Sequence, residues 1–475
     1  MELFNSILGT LNDFMWGYIL IAGLVGLGLY FSLRTKFVQF RYIAEMGRLL
    51  TDKTTISAKG KRGISSFQAF TISTASRVGT GNLAGVATAI AGGGPGAVFW
   101  MWLIALLGGA TSFIESTLAQ IYKVNDGKDG FRGGPAYYME KGLNARWMGI
   151  LFAIIITFCF GLVFNSVQSN TISLAMEGAY SFDRLTTGII LAVLTAVIIF
   201  GGIKRIASVT QILVPIMAIL YIILALYILI TNITLLPDMF AIIFESAFGL
   251  REVVSGGVGA AIMMGIKRGL FSNEAGMGSA PNAAASAGVT HPVKQGLIQT
   301  LGVFTDTLII CTATAFMIIL SDQYTTGIDG IQLTQAALSF HVGDWADTFV
   351  AVAIFLFAFS SVIGNYYYGE TNIEFIKYSP VALFIYRLAV IGMVIFGAVV
   401  KLDVVWGLAD LFMGLMAVIN LIAITLLTKI ALAALKDYRA QKKEGKDPVF
   451  YSNSIKGLKG IECWDEKPGT ESRDR

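Results

Sequence analysis

FQAFTISTASRVGTGNLAGVATAIAGGGPG, residues Phe67 to Gly96, is the stretch on which the fold turns. It is apolar enough for hydrocarbon, yet Gly79, Thr80, Gly81 and Asn82 stand together within it. Counting about 1.5 Å per residue from Ser65 puts Val78 to Asn82 roughly 20 Å along a helix, near or past the bilayer middle. A helix in lipid keeps its backbone groups bonded internally, so a glycine-rich interruption at that depth is tolerated only where protein, ligand or water takes over those bonds. The glycines let the chain leave helical angles without a side-chain penalty. The hydroxyl and amide are groups that lipid would not accept. A second stretch, GGVGAAIMMGIKRGLFSNEAGMGSAPNAAASAG from Gly256 to Gly288, repeats the pattern. There Gly269, Gly276 and Gly278 surround Ser272, Asn273 and Glu274, and Pro281 lacks the N–H that a continuous helix uses. Both stretches read as discontinuous helices.

The rest of the chain frames these two. Of 475 residues, 55% are hydrophobic and 14% charged, and the mean hydropathy is +0.69. Soluble proteins carry about 25% charged residues, so an ordinary cytosolic enzyme is excluded. A formal charge of +4 is too small to mark a nucleic-acid partner. Cys159, Cys311 and Cys463 are widely spaced and there are two histidines, His291 and His341, so neither a disulfide framework nor a metal cluster is indicated. The sequence divides into eleven apolar segments, at about 14–33, 66–91, 96–121, 147–172, 185–203, 209–231, 252–289, 295–320, 349–369, 380–400 and 404–430. These predict an all-α integral membrane protein with eleven transmembrane helices. The first run follows Glu2 and Asp13 rather than a basic region and has no small-residue cleavage site, so that helix is expected to be retained.

Basic residues set the sidedness. Arg34, Lys36, Arg41, Arg48, Lys53, Lys59, Lys61 and Arg62 follow the first segment, and Lys123, Lys128, Arg132, Lys141 and Arg146 follow the third. With the N-terminus outside and the C-terminus cytoplasmic, these fall inside, leaving Arg184, Arg251 and Lys401 in outer loops. The expected location is the cell inner (plasma) membrane. Segments two to six and seven to eleven then form two sets of five, each opening with its broken helix and entering from opposite sides, the inverted five-plus-five plan of secondary transporters. The expected units are an extra N-terminal helix and basic loop over 1–63, repeats over 64–235 and 236–432, and a cytoplasmic tail over 433–475, mobile from about Asp437.

A broken helix exposes N–H groups that suit a carboxylate and C=O groups that suit a small cation. Two of them crossing at mid-membrane can hold an amino-acid zwitterion beside Na+, each ligand strengthening the other, so that downhill Na+ drives uphill uptake.

The run GGPGAVFWMWLIALLG, Gly93 to Gly108, resembles a signature of the sodium:alanine, or alanine/glycine:cation, symporter family, and VGTGNLAGVATAI from Val78 and NEAGMGSAPNAAA from Asn273 are similar to its other blocks. The resemblance spans about residues 10 to 435. It implies a leucine-transporter-like architecture and import of alanine or glycine with Na+, and in some members H+, by alternating access. It further implies that Gly79, Thr80, Gly81, Asn82, Gln168, Phe271, Ser272 and Asn273 face the substrate. Ser360 and Ser361, with carbonyls of Val78 and Gly79, would hold Na+, a hard ion suited by oxygen. Family members commonly read Gly-Trp before Tyr-Tyr-Gly-Glu, whereas here Gly364 precedes Asn365, which joins the substrate set and opens the alternatives of glutamine, serine or another neutral amino acid. No cofactor other than Na+ as coupling ion is expected.

The remaining intramembrane charges have blander readings. Arg77, one turn from the first break, is a gating candidate through Glu274 or Glu370. Lys267 and Arg268 are expected to snorkel or find protein partners. Asp306 and Asp410 are not assigned to the site, and Glu115 reads as a boundary carboxylate. The histidines are given neither a proton-coupling nor a metal role. GISSFQ and GPGAVFW lack the context of a phosphate loop. No nucleophile or metal pair supports an enzyme, and no charged ring or filter repeat supports a channel, which stays a lesser alternative with a non-transporting receptor. Oligomeric state is left open.

Overall fold

The computed structural model describes residues 2–52, 63–127, 130–250 and 257–465. Lys53, Lys59, Lys61, Arg62, Lys128 and Arg251, used above for sidedness, lie outside the described residues. Among the described residues, regular structure is helical apart from one small antiparallel pairing of Val124–Asn125 with Phe131–Arg132 and a single bridge between Ile64 and Ala287. Eight helices are long and apolar enough to cross a membrane: Ser6–Arg34, Ala97–Ile121, Arg146–Tyr180, Arg205–Thr231, Pro292–Ser321, Trp345–Ile376, Pro380–Val399 and Leu402–Lys443. Arg184–Ile199 is a shorter apolar helix. The chain is thus an all-α, multi-span membrane protein.

Patterning on these helices is set by lipid rather than water. On Gly202–Thr231, Ile212, Ile216, Ile219 and Ile223 are exposed, while Val214, Met217, Tyr221 and Ala225 are buried against neighbours. Both faces are apolar because hydrocarbon is as suitable a solvent for isoleucine as the protein interior.

Both expected interruptions are present. The first broken helix starts at Ser66, capped by Ser65, whose hydroxyl accepts from Gln68 N while Gln68 Oε1 accepts from Ser65 N, each at 3.1 Å. It ends at Arg77; Val78 is extended at φ −79°, ψ 90°, and the chain rewinds through Gly81–Gly85 into Val86–Gly93. The second runs Gly257–Asn273, breaks through Glu274 (φ 58°), Gly276 (φ 95°) and Gly278 (φ 82°), and resumes as Ala280–Ala285. Left-handed angles favour glycine, and Glu274 adopts one at a cost that its buried bonds offset. The helix Ala97–Ile121 packs along both Gly257–Asn273 and Pro292–Val303, long-range packing consistent with an inverted repeat.

The tail corrects one expectation. The last helix extends to Lys443, well past 430, and the described chain beyond it, to Asp465, is docked rather than mobile; residues 466–475 lie outside the described residues. Tyr438 donates to Glu45 at 2.7 Å, and Arg439 reaches Tyr42 and the Thr35 carbonyl. Glu45 is also bonded by Arg48, which with Tyr438 and Lys442 holds its carboxyl down at about 2 against partial burial. After Gly445 the chain folds back under the helix ends. Phe450 is buried and its N–H donates to Thr290 O at 2.8 Å; Lys294 pairs with Asp447 and Asp52; Trp464 Nε1 donates to Gln120 O at 3.0 Å. Lys123 sits between the rings of Phe131 and Trp464, 4.2 and 4.7 Å from their centroids, and donates to Ala287 O at 3.0 Å. Charge density made this segment read as solvated, while two aromatic anchors in it decide otherwise.

Trp464→Ala removes a ring contact with a buried ammonium and an indole hydrogen bond, so it lowers stability by about 2 kcal/mol. Thermal unfolding in detergent reads this as a lower midpoint. Lys459→Ala, at an exposed position of the same segment, leaves the midpoint unchanged.

Candidate functional site

The two breaks abut. A Cβ on Gly81 would lie 3.1 Å from both Phe271 Cδ1 and Ser272 Cα, so the glycine backbone packs directly against the second broken helix, which would have to give by a few tenths of an ångström to admit a side chain. Side chains replace the helical bonds that the first break gives up. Asn82 Oδ1 accepts from Gly79 N at 2.9 Å, and Gln168 Oε1 accepts from Thr80 N at 3.0 Å. The Thr80 hydroxyl and Asn273 Nδ2 are buried and hold no protein partner among the described residues. Gly79, Thr80, Gly81, Asn82, Gln168, Phe271, Ser272 and Asn273 therefore converge on one buried region. Phe271 packs, tilted, between Phe164 and Trp406, both at 4.7 Å between ring centroids.

An oxygen-rich corner lies beside Val78. Ser361 Oγ is 2.8 Å from Ala75 O, 3.5 Å from Val78 O and 3.1 Å from Phe357 O. Ser360 Oγ is 2.8 Å from Phe357 O, with Met217 Sδ on its other side. Hydroxyls among carbonyls are the donor set a hard monovalent cation takes. The carbonyls of Ala75 and Phe357 were not foreseen, because backbone oxygens carry no sequence signal. A Cβ on Gly79 would run into Ser361 Oγ, which fixes this position as glycine.

Asn365 is buried across from the first broken helix, with Oδ1 placed 2.7 Å from Ser76 Oγ, and Ser76 Oγ is also 2.6 Å from Glu274 Oε1. Ser76 has one hydrogen for these two oxygens. The network closes when Asn365 presents its amide nitrogen to Ser76 and Ser76 donates to Glu274. Ser279 donates to the other oxygen of Glu274 at 2.6 Å.

The charged residues fall differently from expectation. Arg77 is buried, but its guanidinium lies in the space left by Gly302 and bonds Gln299 O at 3.3 Å; among the described residues it forms no ion pair with Glu274 or Glu370. Glu370 pairs with Arg387 at 3.1 Å and accepts from Tyr366 instead. Lys267 and Arg268 do find a protein partner, both bonding Asp410, with Arg268 bidentate at 2.9 and 3.1 Å and 4.2 Å above the Trp406 ring. Glu115, read as a boundary residue, is fully buried and accepts from Gly276 N and Gly278 N at 3.2 Å each. Asp306 accepts from Asn82 Nδ2 at 2.7 Å and Ser272 Oγ at 2.8 Å, at the meeting of the two broken helices. The signal for both was available: an ionisable residue deep in a span is functional by default.

Beside Trp406 and Asp329 a gap of about 30 Å³ remains, room for water and no more. A separate cavity of about 690 Å³ is lined by both members of the ion pairs Arg132–Glu374 and Arg387–Glu370.

The chain is similar to known proteins along nearly its whole length. The profile of the sodium:alanine symporter family matches residues 1–452. The chain is 60% identical over 464 residues to the Amino-acid carrier protein AlsT of Bacillus subtilis (strain 168), covering 98% of each chain. It is 57% identical over 476 residues to the Probable sodium/glutamine symporter GlnT of the same organism, covering 99% of each. Among solved structures it is similar in fold to a manganese transporter of Eremococcus coleocola, with a TM-score of 0.52 at 14% identity over 79% of this chain and 87% of that one.

Gly79→Ala displaces Ser361 or the backbone it faces. Misplacement of a ligand shell by tenths of an ångström to an ångström costs up to about a hundredfold, so Na+-dependent uptake falls by about that factor while the protein still elutes as a folded monodisperse species. Gly259→Ala, with no atom within 4 Å of its added carbon, keeps wild-type uptake.

Proposed function

The chain belongs to the sodium:alanine symporter family, and on that premise we propose that it imports alanine or glycine together with Na+, the zwitterion lying between the two breaks and the ion beside Ser361. It is a Na+-coupled secondary transporter of small amino acids, not an enzyme. The observation that carries the site assignment is the abutment of two interrupted helices with unspent polar atoms, Thr80 Oγ1 and Asn273 Nδ2, that are buried there.

In this reading the eight long helices, Arg184–Ile199 and the two broken helices make eleven crossings, arranged as inverted repeats over 64–235 and 236–432 with a leucine-transporter-like architecture. The N-terminus is outside and the basic end, with the tail over 433–475, is cytoplasmic. Gly79, Thr80, Gly81, Asn82, Gln168, Phe271, Ser272 and Asn273 line the substrate, and Asn365 fixes the neighbouring wall through Ser76. Na+ takes oxygens from Ala75, Val78, Phe357, Ser360 and Ser361; the carbonyl of Gly79, expected in this set, instead accepts from Asn82 N at 3.2 Å. Because the carbonyl of Val78 and the N–H of Gly79 share one peptide unit, a cation drawn to the first orients the second, and occupancy of either ligand favours the other.

Gating passes to other residues than Arg77 and Glu274. Arg268 and Lys267 on Asp410, with Phe271 under Trp406, close the outer route. Arg132 with Glu374 ties the hairpin after Ala97–Ile121 to Trp345–Ile376 across the cytoplasmic cavity, with Glu370 one turn away. A second cargo, glutamine, has support in the high identity to a relative named for it and in Asn365 at the position where the resemblance leads one to expect Trp.

In proteoliposomes, labelled alanine accumulates above its external concentration under an inward Na+ gradient and returns to equilibrium when a sodium ionophore collapses that gradient. Unlabelled glycine displaces it at least tenfold better than glutamine does. Absence of Na+-driven accumulation in correctly oriented vesicles removes the symport reading, and the reverse order of competition reassigns the cargo to glutamine.

A further inference from the structure

Two buried carboxylates stand where neither the proposed substrate set nor the Na+ set uses them. Glu115 lies on Ala97–Ile121, the helix that follows the first broken helix, and its two oxygens accept from Gly276 N and Gly278 N in the break of the second. Asp306 lies on the helix that follows the second broken helix, and it accepts from Asn82, whose own Oδ1 accepts from Gly79 N in the break of the first. The arrangement is reciprocal. Each half carries, on its next helix, an acid that supports the broken backbone of the other half.

We propose that Glu115 and Asp306 are a matched pair of positioning residues that set the shapes of the two breaks crosswise, Asp306 through Asn82 for the cation side and Glu115 directly for the facing wall. This rests on the transport reading above for its consequences, though not for its geometry.

The chemistry explains why acids occupy both places. Every partner offered to them is a donor: two backbone N–H groups and the Asn420 amide for Glu115, and the Asn82 amide with the Ser272 and Thr307 hydroxyls for Asp306. A carboxylate accepts at both oxygens, whereas an amide of the same shape turns an NH2 toward one of the donors. Charge-assisted bonds of this kind are also about twice as strong as neutral ones. Asp306 does one thing more. By accepting from the nitrogen of Asn82 it fixes which end of that amide faces Gly79, and so holds the peptide whose carbonyl belongs to Val78 and faces Ser361. Asn420 closes the second network, donating to Glu115 at 2.8 Å and to Gly276 O at 2.9 Å.

The two acids thus act on different ligands, and that separates them from a merely structural role. Asp306→Asn raises the half-saturating Na+ concentration about tenfold, the loss of one oriented charged bond, with a smaller change in the half-saturating alanine concentration at saturating Na+. Glu115→Gln raises the half-saturating alanine concentration about tenfold, with a smaller change in that for Na+. Adding Asp306→Asn to Asn82→Ala changes the Na+ dependence no further, since Asp306 works through Asn82. Each is measured by uptake in proteoliposomes and, independently, by the shift in melting temperature of purified protein titrated with Na+ alone. If Glu115→Gln fails to fold, Glu115→Asp, which stays acceptor-only but falls short of Gly276 and Gly278, takes its place and must raise the half-saturating alanine concentration more than that of Na+. The proposal is overturned if both variants lower only the maximal rate, if they move both dependences equally, or if the double variant is additive. A wild-type protein that takes up no amino acid yet is stabilised by Na+ overturns the transport reading, and the Na+ shift of Asp306→Asn then decides this one.

Discussion

Buried backbone groups without a helical partner govern the centre of this protein. In hydrocarbon an unsatisfied N–H or C=O costs several kcal/mol, so each group released by the two interruptions has to be met by something built into the fold. Asn82 and Gln168 meet the N–H groups of Gly79 and Thr80; Glu115 meets those of Gly276 and Gly278; Asn420 and Asn282 meet the carbonyls of Gly276 and Gly278. The polar residues of the core are distributed as this requirement dictates. The membrane helices around them are comparatively free to vary, because apolar surface against lipid asks only for length.

The same requirement explains what could be read from the sequence. Glycines clustered with Thr80 and Asn82, and again around Ser272 to Glu274, are a statement that helical bonding stops there, and both stops are where the sequence puts them. Apolar runs gave the crossing helices to within a few residues except at polar ends, where Leu402–Lys443 continues well past hydrocarbon length. Partnerships were not legible. Nothing in a linear sequence says that Glu115 meets residues 161 and 163 positions away, or that Arg77 meets a carbonyl rather than a carboxylate. The tail failed for a related reason: Phe450 and Trp464 are too sparse to raise the local hydropathy, but each finds a prepared surface made by distant helix ends.

Arg77 illustrates how a buried charge persists without an ion pair. Its guanidinium has one carbonyl partner and occupies the room left by Gly302, while Glu115, Glu274 and Asp306 lie buried in the same interior. Burying a lone charge is costly, and distributing several nearby charges of opposite sign lowers that cost without a single contact pair.

Coupling between closure and ligand contact follows from where one helix places its residues. On Gly257–Asn273, Arg268 bonds Asp410, Phe271 lies against Trp406, and Ser272 and Asn273 belong to the proposed substrate wall. Arg268 also covers Trp406, so ion pair, ring contact and wall are contiguous within six residues of one rigid segment. A movement that opens the route past Trp406 must turn Ser272 and Asn273 as well, because a helix cannot rotate one face and not the next. The break immediately after Asn273 lets that segment turn without carrying Ala280–Ala285 with it, and Ala280–Ala285 is held from the other end by Gln120, which donates to Ala284 O and Ala287 O, and by Lys123. An interrupted helix therefore does more than expose backbone: it lets Gly257–Asn273 turn while Ala280–Ala285 stays in place, so the two halves need not move as one.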